Sequence, residues 1–205
     1  MGLMRQLFGP SKDEIWSQLS RDIGGASFAD GGLFGSSKVT LSHRQWVITL
    51  DTHAVNAGKT TIIYTRLRAP YVNPDGERFT IYRKGAFSWL GTLLGVQDIE
   101  VGDPFFDEDF IIQGTSDVFV KHLLANPRIR ELIERQPDIH FEVKDDEGWF
   151  GMAFPQGVDE LHFQAYGVIR DVERLRQLFD LFALVLDELC RIGSAYEGEP
   201  GVQVS

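Results

Sequence analysis

Cysteine is nearly missing from this chain. Cys190 is the only one in 205 residues, so no intrachain disulfide can form and no thiolate-rich zinc site can be assembled. Long apolar runs are missing as well, and none approaches the roughly 20 residues a helix needs to cross a bilayer. The opening stretch MGLMRQLFGPSK has no apolar core and no small-residue cleavage site, and Gln6 stands where N-myristoylation wants Ser or Thr. These absences set the expectation of a cytoplasmic protein. Positive charge is in short supply: 20 Lys and Arg against 30 Asp and Glu leave a formal charge of −10. Phosphate-rich polymers are held mainly by Lys and Arg, so general nucleic-acid binding is not expected.

The motifs of common chemistries are missing too. No G-x-S-x-G elbow is present, and Cys190 falls at a mostly apolar angle of a helix, where a thiol is an inert filler. The histidines at 43, 53, 122, 140 and 162 form neither H-x-H nor H-E-x-x-H. His140 and His162 are expected to be surface imidazoles on polar strand faces, neighbours at most. No metal, cofactor or catalytic residue is therefore expected. The Gly-Lys-Thr of NAGKTT (56–61) resembles the end of a phosphate loop, but that loop needs a glycine at position 53, where His53 stands. The β-prone TTIIYTRLR that follows offers no helix to aim at a phosphate. The stretch reads as a hairpin turn, with Gly58 in a positive-φ position.

What is present is an ordinary globular composition, 43% hydrophobic and 24% charged, on a chain long enough to bury a core unaided. Ser11 and Glu14 form a capping box before a helix with Ile15, Trp16, Leu19 and Ile23 on its apolar stripe. KVTLSH, QWVITLD, TTIIYTRLRA and RFTIYRK read as strands, with NPDG as the turn before the last. FSWLGTLLG reads as a short helix or packed loop. DFIIQG is a strand, SDVFVKHLLA a helix, and Asn126-Pro127 opens another. DIHFEVKDDEGWFGMAF reads as a hairpin and ELHFQAYGVI as a strand, and Asp171 caps the longest helix, to about Gly193. Half-buried alternation points to an α+β fold, an antiparallel sheet with helices packed on one face. The predicted organisation is a flexible segment over 1–10, one domain over 11–194 and a flexible tail over 195–205. Residues 11–95 and 105–194 repeat a similar element order, which raises an internal duplication as one reading.

Three features are candidates for function. From Lys59 to Lys84 there are six basic residues and two acids. Alternation puts Tyr64, Arg66 and Arg68 on one strand face, joined by Tyr82 and Lys84 if the next strand is a neighbour. Arg with Tyr on a sheet clamps a carboxylate or phosphate or stacks on a planar ligand; alternatively, this face is neutralised by DIEVGDPFFDEDF, which carries six carboxylates and no base. That acidic segment lacks the spacing of a calcium loop and reads as a solvated loop anchored by Phe105 and Phe106. In the last helix, Leu181 and Leu184 fall beyond the edge of the apolar face, which suggests a homodimer packed through that helix. The N-terminal Leu3, Met4, Leu7 and Phe8 offer a weaker docking patch.

YTRLRAPYVNPDGERFTIYRKG, GVQDIEVGDPFFDEDFIIQG, NPRIRELI and VKDDEGWF together resemble a family of uncharacterised bacterial cytosolic proteins carried as a domain of unknown function, from about Glu14 to Ala195. The resemblance implies a bacterial protein forming one unit, with no activity, cofactor or site residue attached. Two function classes follow from the residues. One is a non-catalytic binding or interaction module that contacts an anionic small molecule or an acidic partner. The other is an enzyme acting on a small anionic substrate, with the same arginines for binding.

Overall fold

The computed structural model describes residues 10–32, 36–85, 98–145, 154–196 and 198–202. Helix α1 (Lys12–Asp22) begins at the capping box: Ser11 Oγ accepts from Glu14 N at 3.2 Å, and Ser11 N donates back to Glu14 at 2.9 Å. Five strands follow: β1 (Ala26–Ala29), β2 (Lys38–His43), β3 (Trp46–Ala57), β4 (Thr60–Val72) and β5 (Phe79–Arg83). Then come α2 (Pro104–Asp109), β6 (Phe110–Gly114), α3 (Asp117–Leu124), α4 (Pro127–Glu134), β7 (His140–Lys144), β8 (Val158–Tyr166) and α5 (Val172–Arg191). FSWLGTLLG, the N-terminal patch and the turn of the β7–β8 hairpin lie outside the described residues.

All eight strands form one antiparallel sheet in the order β1-β2-β3-β4-β8-β7-β5-β6. NAGKTT is the β3–β4 hairpin: Ala57 pairs with Thr60, and Gly58 takes φ 67° at the first turn position, where a type II′ turn favours glycine. The two sequence halves do not build separate sheets, because β5 sits between β7 and β6 of the second half. Asn73 and Arg78 both donate to the buried Asp159 of β8, at 2.7 and 3.1 Å, which ties the NPDG turn to the sheet.

Alternation sorts the sheet into an apolar and a polar face. Leu50, Leu67, Phe163, Phe141 and Ile81 stand on the apolar face and are buried under the helices. Helix α5 covers its centre, with Phe182 5.6 Å from Phe141 between ring centroids. Each such side chain contributes roughly 1.5–3 kcal/mol of apolar burial. Trp16 of α1 is fully buried in this layer and donates its indole N–H to Ile169 O. Leu181, expected at an interface with a second chain, is fully buried in its own core, and Leu184 packs partly against that core. The face of α5 is wider than a single stripe because α1, α3 and α4 flank it as the sheet lies below. Past α5, Ala195 is buried, Tyr196 bridges Val72 of β4, and Gly198 lies against Val72. The described part of the expected loose tail is thus laid along the sheet.

Candidate functional site

The polar face carries the candidate residues, and strand order decides which of them meet. Arg66 stands opposite Asp51 of β3 on one side and Gln164 of β8 on the other; Gln164 is opposite His140, and His140 opposite Tyr82. Tyr82 therefore lies three strands from Arg66, roughly 14 Å at the usual strand spacing. The expected union of Tyr82 and Lys84 with Tyr64, Arg66 and Arg68 fails because β8 and β7 are inserted between β4 and β5.

Arg66 and Arg68 converge on one carboxylate. Arg66 donates Nε and Nη2 to the two oxygens of Asp51 at 2.9 and 3.0 Å, a bidentate fork, and Arg68 Nη2 donates to Asp51 Oδ2 as well. The local partner is thus Asp51, not the acidic segment. Arg68 is only 1% exposed, whereas Arg66 keeps an edge toward solvent. Tyr64 stacks at a tilt on the exposed Tyr166, with centroids 4.9 Å apart, at the end of the same row. Burial and the hydrogen bond with Tyr166 push the Tyr64 phenol up to about 12. Burial and the Arg66 charge hold His53, across from Tyr64, below its ordinary value, against the pull of Asp51.

The other end of the basic cluster does meet the acidic segment. Arg83 pairs with Asp109 at 2.5 Å, and Lys84 Nζ donates to Asp107 O at 2.9 Å. The segment is a short helix, α2, rather than a loop. Asp103 caps it, Pro104 occupies its first turn, and Asp107 accepts from the backbone N–H groups of Val101 and Gly102. Phe106 anchors it in the core, while Phe105 is 82% exposed.

Histidines 140 and 162 are not surface imidazoles. They are 6% and 2% exposed and flank Glu142: His140 Nε2 lies 3.4 Å from one carboxylate oxygen and His162 Nδ1 3.4 Å from the other. Gln164 Nε2 is 3.0 Å from His140 Nδ1. With the amide nitrogen donating, His140 carries its proton on Nε2, aimed at Glu142. Burial pushes the His162 imidazole down to about 4, against the pull of Glu142, so the ring is neutral near pH 7. Burial raises Glu142, but the His140 and His162 imidazoles beside its two oxygens outweigh it and hold the carboxyl well below the usual range. Lys144 Nζ lies 3.6 Å from the fully buried Glu160. Burial and the charge of Asp98 raise Tyr82, which packs edge-on to His140 at 6.4 Å.

Three cations (Arg66, Arg68 and Lys144) thus stand among three carboxylates (Asp51, Glu142 and Glu160) across β3, β4, β8 and β7. The arrangement can hold an anion at the exposed edge of Arg66 and share a proton between His140 and Glu142, with Gln164 orienting the His140 ring. Among the described residues no group of three metal-ligating side chains shares a cation position. No protein family matches this chain, and no curated protein or solved structure does. The geometry stands alone. A groove of about 570 Å³ lies off the ionic cluster, between Thr40, Thr49 and Pro70 of the sheet and the tail at Glu199–Val202. Sequence reasoning missed Asp51, Glu142 and Glu160. They alternate with the apolar residues on the polar face of the sheet, and that they meet in a buried cluster is legible only once the strand order is known.

Proposed function

We propose that this chain is a non-catalytic binding module of the bacterial cytoplasm. Its contact surface is the exposed end of the polar sheet face, where Arg66, Tyr64 and Tyr166 receive one carboxylate or phosphate group of an anionic small molecule or acidic partner. The observation that carries this reading is the sharing of Asp51. Arg66 and Arg68 converge on its carboxylate, and of the three side chains Arg66 is the one that reaches solvent. Arg68 is the buried support that fixes Asp51, and Tyr82 and Lys84 belong to other contacts. The rest of the face is internally paired, Lys144 with Glu160 and Glu142 with His140 and His162, and the groove does not include these residues.

The test is a titration of isotopically labelled protein with inorganic phosphate and with a short Glu-rich peptide, followed by NMR. Saturable shifts around Tyr64, Arg66 and Tyr166 are expected for at least one probe, and Arg66→Gln abolishes them. Equal binding by Arg66→Gln, or no saturable shift with either probe, removes the reading. An enzyme acting on a small anionic substrate is the second reading, and the observation in its favour is the His140–Glu142–His162 set. A carboxylate between two imidazoles, one of them neutral at pH 7, is the arrangement of a general base with its orienting group. That reading requires the His162 ring signals to shift when the anion binds at Arg66.

A further inference from the structure

The β3–β4 hairpin outruns its neighbours. β2 pairs with β3 only over Trp46–Leu50, with Ser36 Oγ 2.8 Å from Thr52 Oγ1 just beyond, and β8 ends at the Tyr166–Tyr64 pair with Gly167 N bonded to Ile63 O at 2.8 Å, so residues 53–62 project as a two-stranded arm. Because Ala57 and Thr60 close a two-residue turn, hydrogen-bonded pairs alternate back along the arm. Residues 53 and 55 bond to β4, whereas Thr52, Ala54 and Asn56 turn their N–H and C=O groups outward. Among the described residues no strand meets that edge.

The other sheet edges are protected. β1 has four residues, and β6 has Ile112 O taken by Ile99 N at 2.8 Å. The arm has none of the usual guards: residues 52–57, THAVNA, contain no proline, lysine or carboxylate, and Val55 is 40% exposed.

We infer that this edge pairs with the same edge of a second copy of the chain, antiparallel about a two-fold axis at Ala54, joining two arms into one four-stranded ribbon. Charge selects that occupant. Two chains of −10 repel over most of their surface, but residues 52–74 contain no Asp or Glu among the 30 in the chain. The arm is where two copies approach with least repulsion, and its outward Thr52, Ala54 and Asn56 are self-complementary under a two-fold axis. An edge this short buries less than the roughly 1,200–2,000 Å² of a stable interface, so the association is reversible and concentration-dependent.

Sedimentation velocity across about 1 µM to about 1 mM protein tests it, a range that brackets weak association. The wild-type mass rises from 23.1 kDa toward twice that value. Ala54→Pro removes an outward N–H while sparing the β3–β4 ladder, and Ala54→Lys adds a charge to the edge. Each weakens dimerisation at least about tenfold with an unchanged far-UV circular dichroism spectrum. Amide exchange at Thr52, Ala54 and Asn56 slows as concentration rises. A monomer at every concentration overturns the inference. So does a dimer that survives Ala54→Lys in a folded protein, or one whose arm amides exchange freely.

Discussion

Replacing Asp51 by Asn keeps the shape of the side chain and deletes the charge on which Arg66 and Arg68 converge. Arg68, whose side chain is only 2% exposed, then loses the charge that Asp51 presents to it. Removing one member of a buried ion pair costs about 3–5 kcal/mol, because the remaining charge keeps its desolvation penalty and loses its compensation. Arg66 adds little to this, since it relaxes toward solvent. For a chain of this size each kcal/mol lowers the melting temperature by about 2–4 °C, so a fall of about 6–20 °C is expected. Urea unfolding followed by circular dichroism measures the free energy, and calorimetry measures the temperature. Asp109→Asn is the control: Asp109 is 57% exposed and Arg83 keeps its bonds to the carbonyls of Glu134 and Gln136, so a loss of at most about 1 kcal/mol is expected. The double replacement Asp51→Leu with Arg68→Met removes both buried charges and recovers most of the stability. If Asp51→Asn costs less than about 1 kcal/mol, or the double variant is no better than the single, burial of Arg68 is not what makes Asp51 necessary.

The buried imidazole gives the protein an acid slope. His162 titrates at about 4 in the folded chain and near 6.5 when unfolded. The unfolded chain therefore binds more protons between those values, and stability falls as pH drops from about 6.5 toward 4, by on the order of 3 kcal/mol. Above 6.5 the contribution is complete; His162→Asn flattens the slope in urea midpoints measured across that window. Gly114→Ala places a methyl 2.5 Å from Val120 Cγ2 and 3.0 Å from Arg78 O. A loss of about 1–3 kcal/mol by chemical denaturation is expected. Leu181→Ala opens the core and costs about 2–5 kcal/mol in the same assay. It leaves the sedimentation behaviour unchanged, whereas a drop in association would restore α5 to an interface.

Local signals were legible where one short stretch decides the outcome. The capping box at Ser11, the glycine turn at Gly58, the NPDG turn and the Asp171 cap each concern groups a few residues apart. Alternation also separated the two sheet faces, placing Tyr64, Arg66 and Arg68 together. Contacts between distant strands were not legible. Asp51 meets Arg66 because of the β3–β4 register, and His162 faces Glu142 because β8 pairs with β7; no spacing within one stretch encodes either. The same gap explains the histidines, since period-two alternation tells which face a side chain takes and not how far water reaches that face. Leu181 misled for a related reason. A helix wheel shows the width of an apolar face, but three flanking helices are needed to know that the whole width is used.

The seam between β4 and β8 joins residues 64–72 to residues 158–166. A ribosome releases the first four strands well before it makes the last strand that completes them, at roughly 5–20 residues per second. For several seconds the nascent meander carries an open β4 edge and an uncovered apolar face, with α5 still unmade. An unpaired strand edge beside uncovered apolar surface is what invites aggregation, so the exposure falls during synthesis and ends when β8 and α5 close the sheet.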